Sequence, residues 1–175
     1  MKKFLFFFVV VLFPIAAFGQ PKVRVNECFE LTGAVFRLSG YDVFVHSDPE
    51  NYMADMEAWF SKYSEHDLVK FIKKIIGAKH VLEFNFITDM AADIEITPKG
   101  IVYTNKWITN YASESYGQRK AAWSKAELKE YLRLLNKFYK ETKFHKFYTE
   151  HRQFYDSAEA RLQGWVDQID TAWFR

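Results

Sequence analysis

The apolar residues of this chain recur mostly three and four positions apart, which is the spacing of amphipathic helices. The clearest case opens with Ser124 and Glu127, which form a capping box ahead of an apolar stripe. That stripe consists of Leu128, Tyr131, Leu132, Leu135, Phe138 and Tyr139. Similar signals predict helices over residues 27–39, from Pro49 onwards, over residues 64–77 with Gly77 ending the helix, and from Thr142 almost to the end of the chain.

Two segments depart from this helical spacing. Residues 94–103 contain two short β-branched runs around Thr97-Pro98-Lys99-Gly100, which predicts a small hairpin. Residues 81–92 begin with strand-like alternation but continue into the helix-favouring DMAAD, so a helix is predicted there and a strand is the alternative. The fold class that follows is mostly α, a helical domain with one small β-hairpin.

The beginning of the chain has the pattern of a cleaved signal peptide. A basic start at residues 1–3 precedes an apolar run over residues 4–18, and Ala17 and Gly19 supply small residues at the −3 and −1 positions. The run is short for a bilayer span, which needs about 20 residues, although an uncleaved anchor is the alternative. We therefore expect a signal peptide at 1–19, a single exported domain at 20–175 in the periplasm or outside the cell, and no stable membrane insertion after cleavage.

The charge of the chain argues against nucleic acid as a partner. Without residues 1–19 the chain carries 22 basic and 22 acidic residues, and it lacks the basic clusters that contact phosphates. The distribution is uneven, however: residues 20–118 carry 10 basic and 14 acidic residues, and residues 119–175 carry 12 and 8. Either the two portions attract each other, or the basic portion meets an acidic partner outside this chain.

The stretch TKFHKFYTEHRQFYD at 142–156 is the first candidate for chemistry, because it holds two of the five histidines. His145 and His151 are six residues apart, which places them about 120° apart around a helix. A helical zinc pair requires spacing of four, as in H-E-x-x-H. His151 is therefore predicted to be a core histidine on the apolar face, and His145 to make a surface contact with Glu141.

The remaining candidates are weaker. His46, His66 and His80 are scattered along the chain, so a hydrolase built from such groups requires that folding bring them into one pocket. Asp93 and Glu95 are predicted to lie on the solvent face of a half-buried strand, and a carboxylate pair for acid/base chemistry is the alternative. The lone Cys28 has no internal disulfide partner and is expected to be buried, with pairing between chains as the alternative.

Aromatic residues in a polar segment suggest a different class of function. Trp107, Tyr111 and Tyr116 lie in KWITNYASESYG at 106–117, where such side chains can line a groove for a peptide or a glycan or, as the alternative, close the core from outside. The corresponding hypothesis is a free-standing binding or scaffold domain with a concave aromatic groove.

Several stretches together resemble one bacterial family. They are FELTGAVFRLSGYDVF at 29–44, WFSKYSEHDLVKFIKKI at 59–75, LLNKFYKETKFHKFYTEHRQFYD at 134–156, and the final AWFR. In order and spacing they are similar to an exported family with a domain of unknown function, whose longer members look like zinc metallopeptidases.

The resemblance implies a non-catalytic region. No H-E-x-x-H occurs in this chain, so no catalytic, cofactor-binding or metal residue is assigned, and zinc is implied only for longer family members. We expect the N-terminal part of such a protein, inactive alone, whose partner is a missing C-terminal catalytic portion. This hypothesis predicts an exposed apolar patch near the C-terminus, where that portion packs.

Overall fold

The computed structural model describes residues 22–41, 50–79, 84–104 and 123–169. In chain order the elements are α1 (Glu27–Leu38), α2 (Glu50–Phe60), a 3-10 turn (Ser61–Tyr63), α3 (Asp67–Lys79), α4 (Phe84–Ala92), β1 (Ile94–Thr97), β2 (Gly100–Tyr103), α5 (Lys125–Glu141), α6 (Phe144–Glu150) and α7 (Arg152–Val166). The prediction of a mostly helical fold with one small hairpin is confirmed. The predicted signal peptide at 1–19 lies outside the described residues.

Helix α1 is the centre of the packing and contacts α2, α3, α4, α6 and β1. It begins where the Asn26 side chain accepts a 2.7 Å hydrogen bond from the Cys28 N–H, which caps an otherwise unpaired donor. It ends before Gly40, whose φ of +72° is the left-handed conformation that favours glycine. Its side chains are largely apolar, which suits a helix that is surrounded by other elements. Leu31, Val35 and Phe36 are fully buried.

The hairpin is docked on α5 by Asn136 and by the Tyr103 hydroxyl, which donates to the Leu128 carbonyl at 3.0 Å. In the antiparallel pair, Ile96 lies opposite Ile101 and Thr97 opposite Gly100. Asn136 of α5 accepts from the Ile101 N–H at 2.7 Å and donates to the Ile101 carbonyl at 2.9 Å, which satisfies both backbone groups of that residue. A side chain at Gly100 would meet the Asn136 oxygen at 2.5 Å, so glycine is required there.

A cluster of aromatic rings joins α2 to the C-terminal helices. The Phe60 ring lies 4.8 Å from the Phe147 ring, 5.5 Å from that of Phe144 and 6.1 Å from that of Phe138, measured between centroids. All four side chains are fully buried. Aromatic pairs at these separations stabilise a core beyond the area that they bury.

Two predicted helix boundaries are wrong. Helix α3 passes through Gly77 and ends at Lys79, and nothing surrounds the position where a Gly77 side chain would lie. The helix expected from Thr142 to near the end of the chain is instead two helices, α6 and α7, which meet at His151. The ambiguous segment 81–92 is helical over α4, as predicted.

Acidic residues of the 20–118 portion pair with basic residues of the 119–175 portion within the fold. Lys137 of the basic portion lies 2.7 Å from Asp67 of the acidic portion, and His145 lies 3.0 Å from Glu27. One pair runs in the opposite direction, because Arg24 near the beginning contacts Glu159 in α7. The two portions therefore contact each other within the described residues.

Candidate functional site

The predicted aromatic groove cannot be located. Trp107, Tyr111 and Tyr116 lie outside the described residues, as do His46 and His80. The groove hypothesis therefore stays a prediction. Glu95 is exposed on its strand, as predicted, and Asp93 precedes β1 and is half-buried.

The two histidines of the 142–156 stretch are held by different carboxylates. His145 does not contact Glu141 as predicted; its Nδ1 lies 3.0 Å from Glu27 Oε1, because the α5–α6 corner turns this face of α6 towards α1. Glu141 lies 3.3 Å from His66 instead. Across the described ranges, no three His, Cys, Asp or Glu side chains come together as metal ligands.

His151 is the residue at which α6 and α7 meet. Its backbone N–H and its Nδ1 both approach the Phe147 carbonyl, at 3.2 and 2.8 Å. The Phe147 carbonyl is thus shared between the backbone N–H and the side chain of His151, and the backbone hydrogen bond is retained. On its other side, Nε2 lies 3.3 Å from Asp55 in α2. The His151 ring packs against the rings of Tyr52 and Phe147 at the edge of the core, which agrees with the predicted core position.

A second polar cluster fastens the beginning of the described chain to α7, and we call it the N-terminal clasp. The Glu159 carboxylate accepts from the Val25 N–H at 2.9 Å and from Arg24 at 3.0 Å. It also accepts a short hydrogen bond from Arg152, which contacts Asp156 as well. These donors, with the Val25 N–H contributing most, lower the pKa of Glu159 to about 2.

The clasp runs along α7 in antiparallel fashion. The Val23 N–H donates to the Gln163 side chain at 2.8 Å, one helical turn beyond the contact of Val25 with Glu159. The Tyr148 hydroxyl of α6 donates to the Val25 carbonyl at 2.7 Å. Two residues of extended chain span about the same distance as one turn of a helix. The step from Val25 to Val23 therefore matches the step from Glu159 to Gln163 along α7.

Sequence reasoning missed this cluster, although a signal was present. Glu159 lies between Tyr155 and Leu162 on what is otherwise the apolar side of the helix. A carboxylate at such a position requires partners, because burying an unpaired charge is costly.

A third cluster is more deeply buried. The Tyr52 hydroxyl makes a short hydrogen bond to the Glu30 carboxyl and lies 2.8 Å from the Tyr155 hydroxyl. Burial raises the pKa of Glu30, and the bond from Tyr52 opposes that rise only in part. Burial likewise raises the pKa of both tyrosines. Aromatic rings fill the surroundings, with Phe154 stacked on Tyr52, so this cluster is a packed junction of α1, α2 and α7.

The end of α7 presents apolar side chains to solvent. Leu162 and Ile169 are exposed, and Trp165 is 62% exposed. Their spacing of three and four places them on one side of the helix and of the turn that follows it. We call this set the α7 apolar face. In the same turns, Glu159 and Gln163 accept hydrogen bonds from the backbone of Val25 and Val23 in the clasp.

Cys28 is buried as predicted. Desolvation raises the pKa of its thiol to about 11, and the nearby Glu27 adds to that rise. A thiol with a raised pKa is a poor nucleophile, so Cys28 acts in packing.

Comparisons with known proteins agree with the resemblance noted above at a coarse level. Among the described helices, none has both the length and the apolar character needed to cross a bilayer. No curated protein and no solved structure is significantly similar to this chain. A family model does match, over residues 23–170, which include both the clasp and the α7 apolar face. The chain belongs to the family described as a domain of unknown function (DUF4932).

Proposed function

We propose that this chain is an exported, non-catalytic docking domain, similar to the N-terminal region of proteins that resemble zinc metallopeptidases. Its docking surface is the α7 apolar face. The occupant is an apolar segment of the metallopeptidase-like portion that follows this domain in longer members. The proposal rests on the motifs at 29–44, 59–75 and 134–156 and on the exposure of Leu162, Trp165 and Ile169.

The single observation that carries the proposal is the exposure of Trp165 within an ordered row of apolar side chains. Isolated exposed apolar residues are normal at protein surfaces, whereas an aligned row marks an interaction site more often. Tryptophan is also among the residues that contribute most to interfaces. A partner helix or loop laid along α7 would cover Leu162, Trp165 and Ile169 together.

The clasp supports a docking role because it holds the distal turns of α7 in place. A helix of this length is marginally stable without tertiary packing. Glu159 and Gln163 bind the backbone of residues 23–25, which holds these turns in helical form while Leu162 and Trp165 remain exposed. A preformed surface binds with a smaller loss of conformational entropy than a surface that orders on binding.

The direct test begins with the coding DNA beyond the Arg175 codon. A reading frame with H-E-x-x-H there supports the proposal, and an unrelated sequence contradicts it. The encoded downstream polypeptide, produced separately, is expected to bind the 20–175 chain in calorimetry. Trp165→Gln should weaken that binding at least tenfold.

Two controls make this experiment specific. Phe29→Gln removes another exposed aromatic side chain, 39% exposed on α1, and should leave the affinity unchanged. Equal loss in both variants would mean that general surface hydrophobicity, and not the α7 apolar face, drives the association. Zinc bound stoichiometrically by the purified chain, together with chelator-sensitive peptide cleavage, would overturn the non-catalytic assignment.

A further inference from the structure

We propose that a cleft between α3 and α5 binds a small organic carboxylate whose apolar body lies against the floor of the cleft. Residues 67–74 of α3 and 130–134 of α5 line this α3–α5 cleft, which has a volume of about 310 Å³. That volume is near the lower limit for pockets that hold small molecules. Neither the α7 apolar face nor the clasp lines the cleft, so this role is additional to the proposed docking function.

The floor of the cleft is apolar and preformed. Phe71 of α3 and Leu134 of α5 supply it, and Leu134 is almost completely buried. The Phe71 ring packs edge to face against the buried Trp123, with the centroids 5.6 Å apart, which fixes its position. A preformed surface binds a ligand with a smaller loss of conformational entropy than a surface that orders on binding.

The lining of the cleft carries one more positive than negative charge. Its charged residues are three cations and two carboxylates, namely Lys70, Lys74, Arg133, Asp67 and Glu130. Glu130 accepts two hydrogen bonds from Arg133, at 2.6 and 2.8 Å, and Asp67 accepts one from Lys137 at 2.7 Å. Both carboxylates are therefore neutralised without Lys70 or Lys74.

Lys70 and Lys74 are the cations left for a ligand. Lys70 lies 3.5 Å from Glu65, but both side chains are more than half exposed, and such pairs contribute little to stability. Lys74 is exposed and, among the residues that the structure describes, it pairs with no carboxylate. Because the two lysines are four residues apart, they share a face of α3 and repel each other. A carboxylate bound between them relieves that repulsion.

The same charges favour a carboxylate over a phosphate. A phosphate dianion has more negative charge than the single excess positive charge of the lining, and it would share the cleft with Asp67 and Glu130. A carboxylate has one negative charge, and an attached aliphatic or aromatic group removes apolar surface of Phe71 and Leu134 from water.

An NMR titration of the ¹⁵N-labelled protein with 3-phenylpropionate tests this directly. We expect saturable shifts of the amide signals of Lys70, Phe71, Lys74 and Leu134. Lys74→Gln should raise the dissociation constant about threefold, as expected for the loss of one exposed charge contact. Lys73→Gln is the matched control, because Lys73 is also exposed on α3 but does not line the cleft, and it should leave the dissociation constant unchanged.

Two further probes separate charge from apolar contact. The amide 3-phenylpropanamide keeps the shape without the charge, and inorganic phosphate keeps the charge without the apolar body, so both should bind more weakly than 3-phenylpropionate. Binding of either probe as tight as that of the carboxylate would overturn the proposal, as would equal losses in the two lysine variants or no saturable shift. None of these results bears on whether Trp165→Gln weakens docking, because α7 lines no part of the cleft.

Discussion

Apolar side chains recur three and four positions apart over residues 144–169, and the two ends of this C-terminal stripe have opposite environments. At its beginning, Phe144, Phe147 and Tyr155 are fully buried, whereas at its end Leu162, Trp165 and Ile169 face solvent. The spacing of apolar residues is the same in both. Helical periodicity therefore indicates which side chains share a face, but it does not indicate whether anything in the same chain covers that face.

The largest contrast should appear in stability. Phe147→Ala removes a ring that contacts Phe60, Trp59 and Tyr52, and it should lower the free energy of unfolding by about 3–5 kcal/mol. The matched Phe29→Ala, at a partly exposed position, should cost about 1 kcal/mol or less. Urea denaturation of both variants measures the difference.

Equal losses in these two variants would contradict the assignment of Phe147 to the core. They would also remove the basis for distinguishing the two ends of the stripe.

The second prediction concerns the N-terminal clasp. Its Glu159 lies between the buried beginning and the exposed end of the C-terminal stripe. The pKa of Glu159 is lowered to about 2, so its contribution to stability is present above the ordinary carboxyl value of about 4.5. It is lost as the pH falls from about 4.5 towards 2, where the folded state must also take up the proton. Glu159→Gln should lower the melting temperature at pH 7 and should flatten the acid dependence in this window.

Hydrogen exchange gives the local control for that variant. Amides in the distal turns of α7 and at Val23 and Val25 should exchange faster in Glu159→Gln, while those of α1 and α5 stay protected. Uniform acceleration across all helices would mean that Glu159 stabilises the whole fold and that the clasp is not a separate unit.

Glu30 is a buried carboxyl whose pKa shifts in the direction opposite to that of Glu159. The pKa of Glu30 is raised by burial, so the folded state binds its proton more tightly than the unfolded state. Stability from this group is full below the ordinary value of 4.5 and declines as the pH rises through the raised value. Glu30→Gln removes the buried charge, so its stability relative to the unsubstituted protein should increase from pH 4 to pH 7.

Tyr52→Phe is the matched variant, because it removes the hydrogen bond that favours the charged form of Glu30. It should steepen the loss of stability as the pH rises. A parallel pH dependence in Glu30→Gln and the unsubstituted protein would show that the carboxyl titrates in the folded state as it does in the unfolded chain.

The sequence predicted the elements of the fold better than the contacts between them. The capping box of Ser124 and Glu127, the hairpin and the burial of Cys28 depend on neighbours in the chain and are present in the structure. The contact of His145 with Glu27 and the break at His151 depend on packing between distant segments. Periodicity has no information on such packing, so the partner that it predicts for His145 is wrong.

The end of α3 shows the same limit on a smaller scale. Gly77 is a usual helix terminator, but the helix continues through it to Lys79. Glycine costs about 1 kcal/mol within a helix, and the packing of Ile72 and Ile75 against the core offsets that cost.

The smallest expected effect is at the distal end of the stripe. Leu162→Gln exchanges one good helix former for another, so the helix itself should be unaffected. Because Leu162 is exposed, the free energy of unfolding should change by no more than about 0.5 kcal/mol in urea denaturation. Binding of the downstream polypeptide should nevertheless weaken, since the α7 apolar face loses the first of its three side chains. A loss of stability comparable to that of Phe147→Ala would place Leu162 in the core of this chain and would leave no free surface on α7 for a partner.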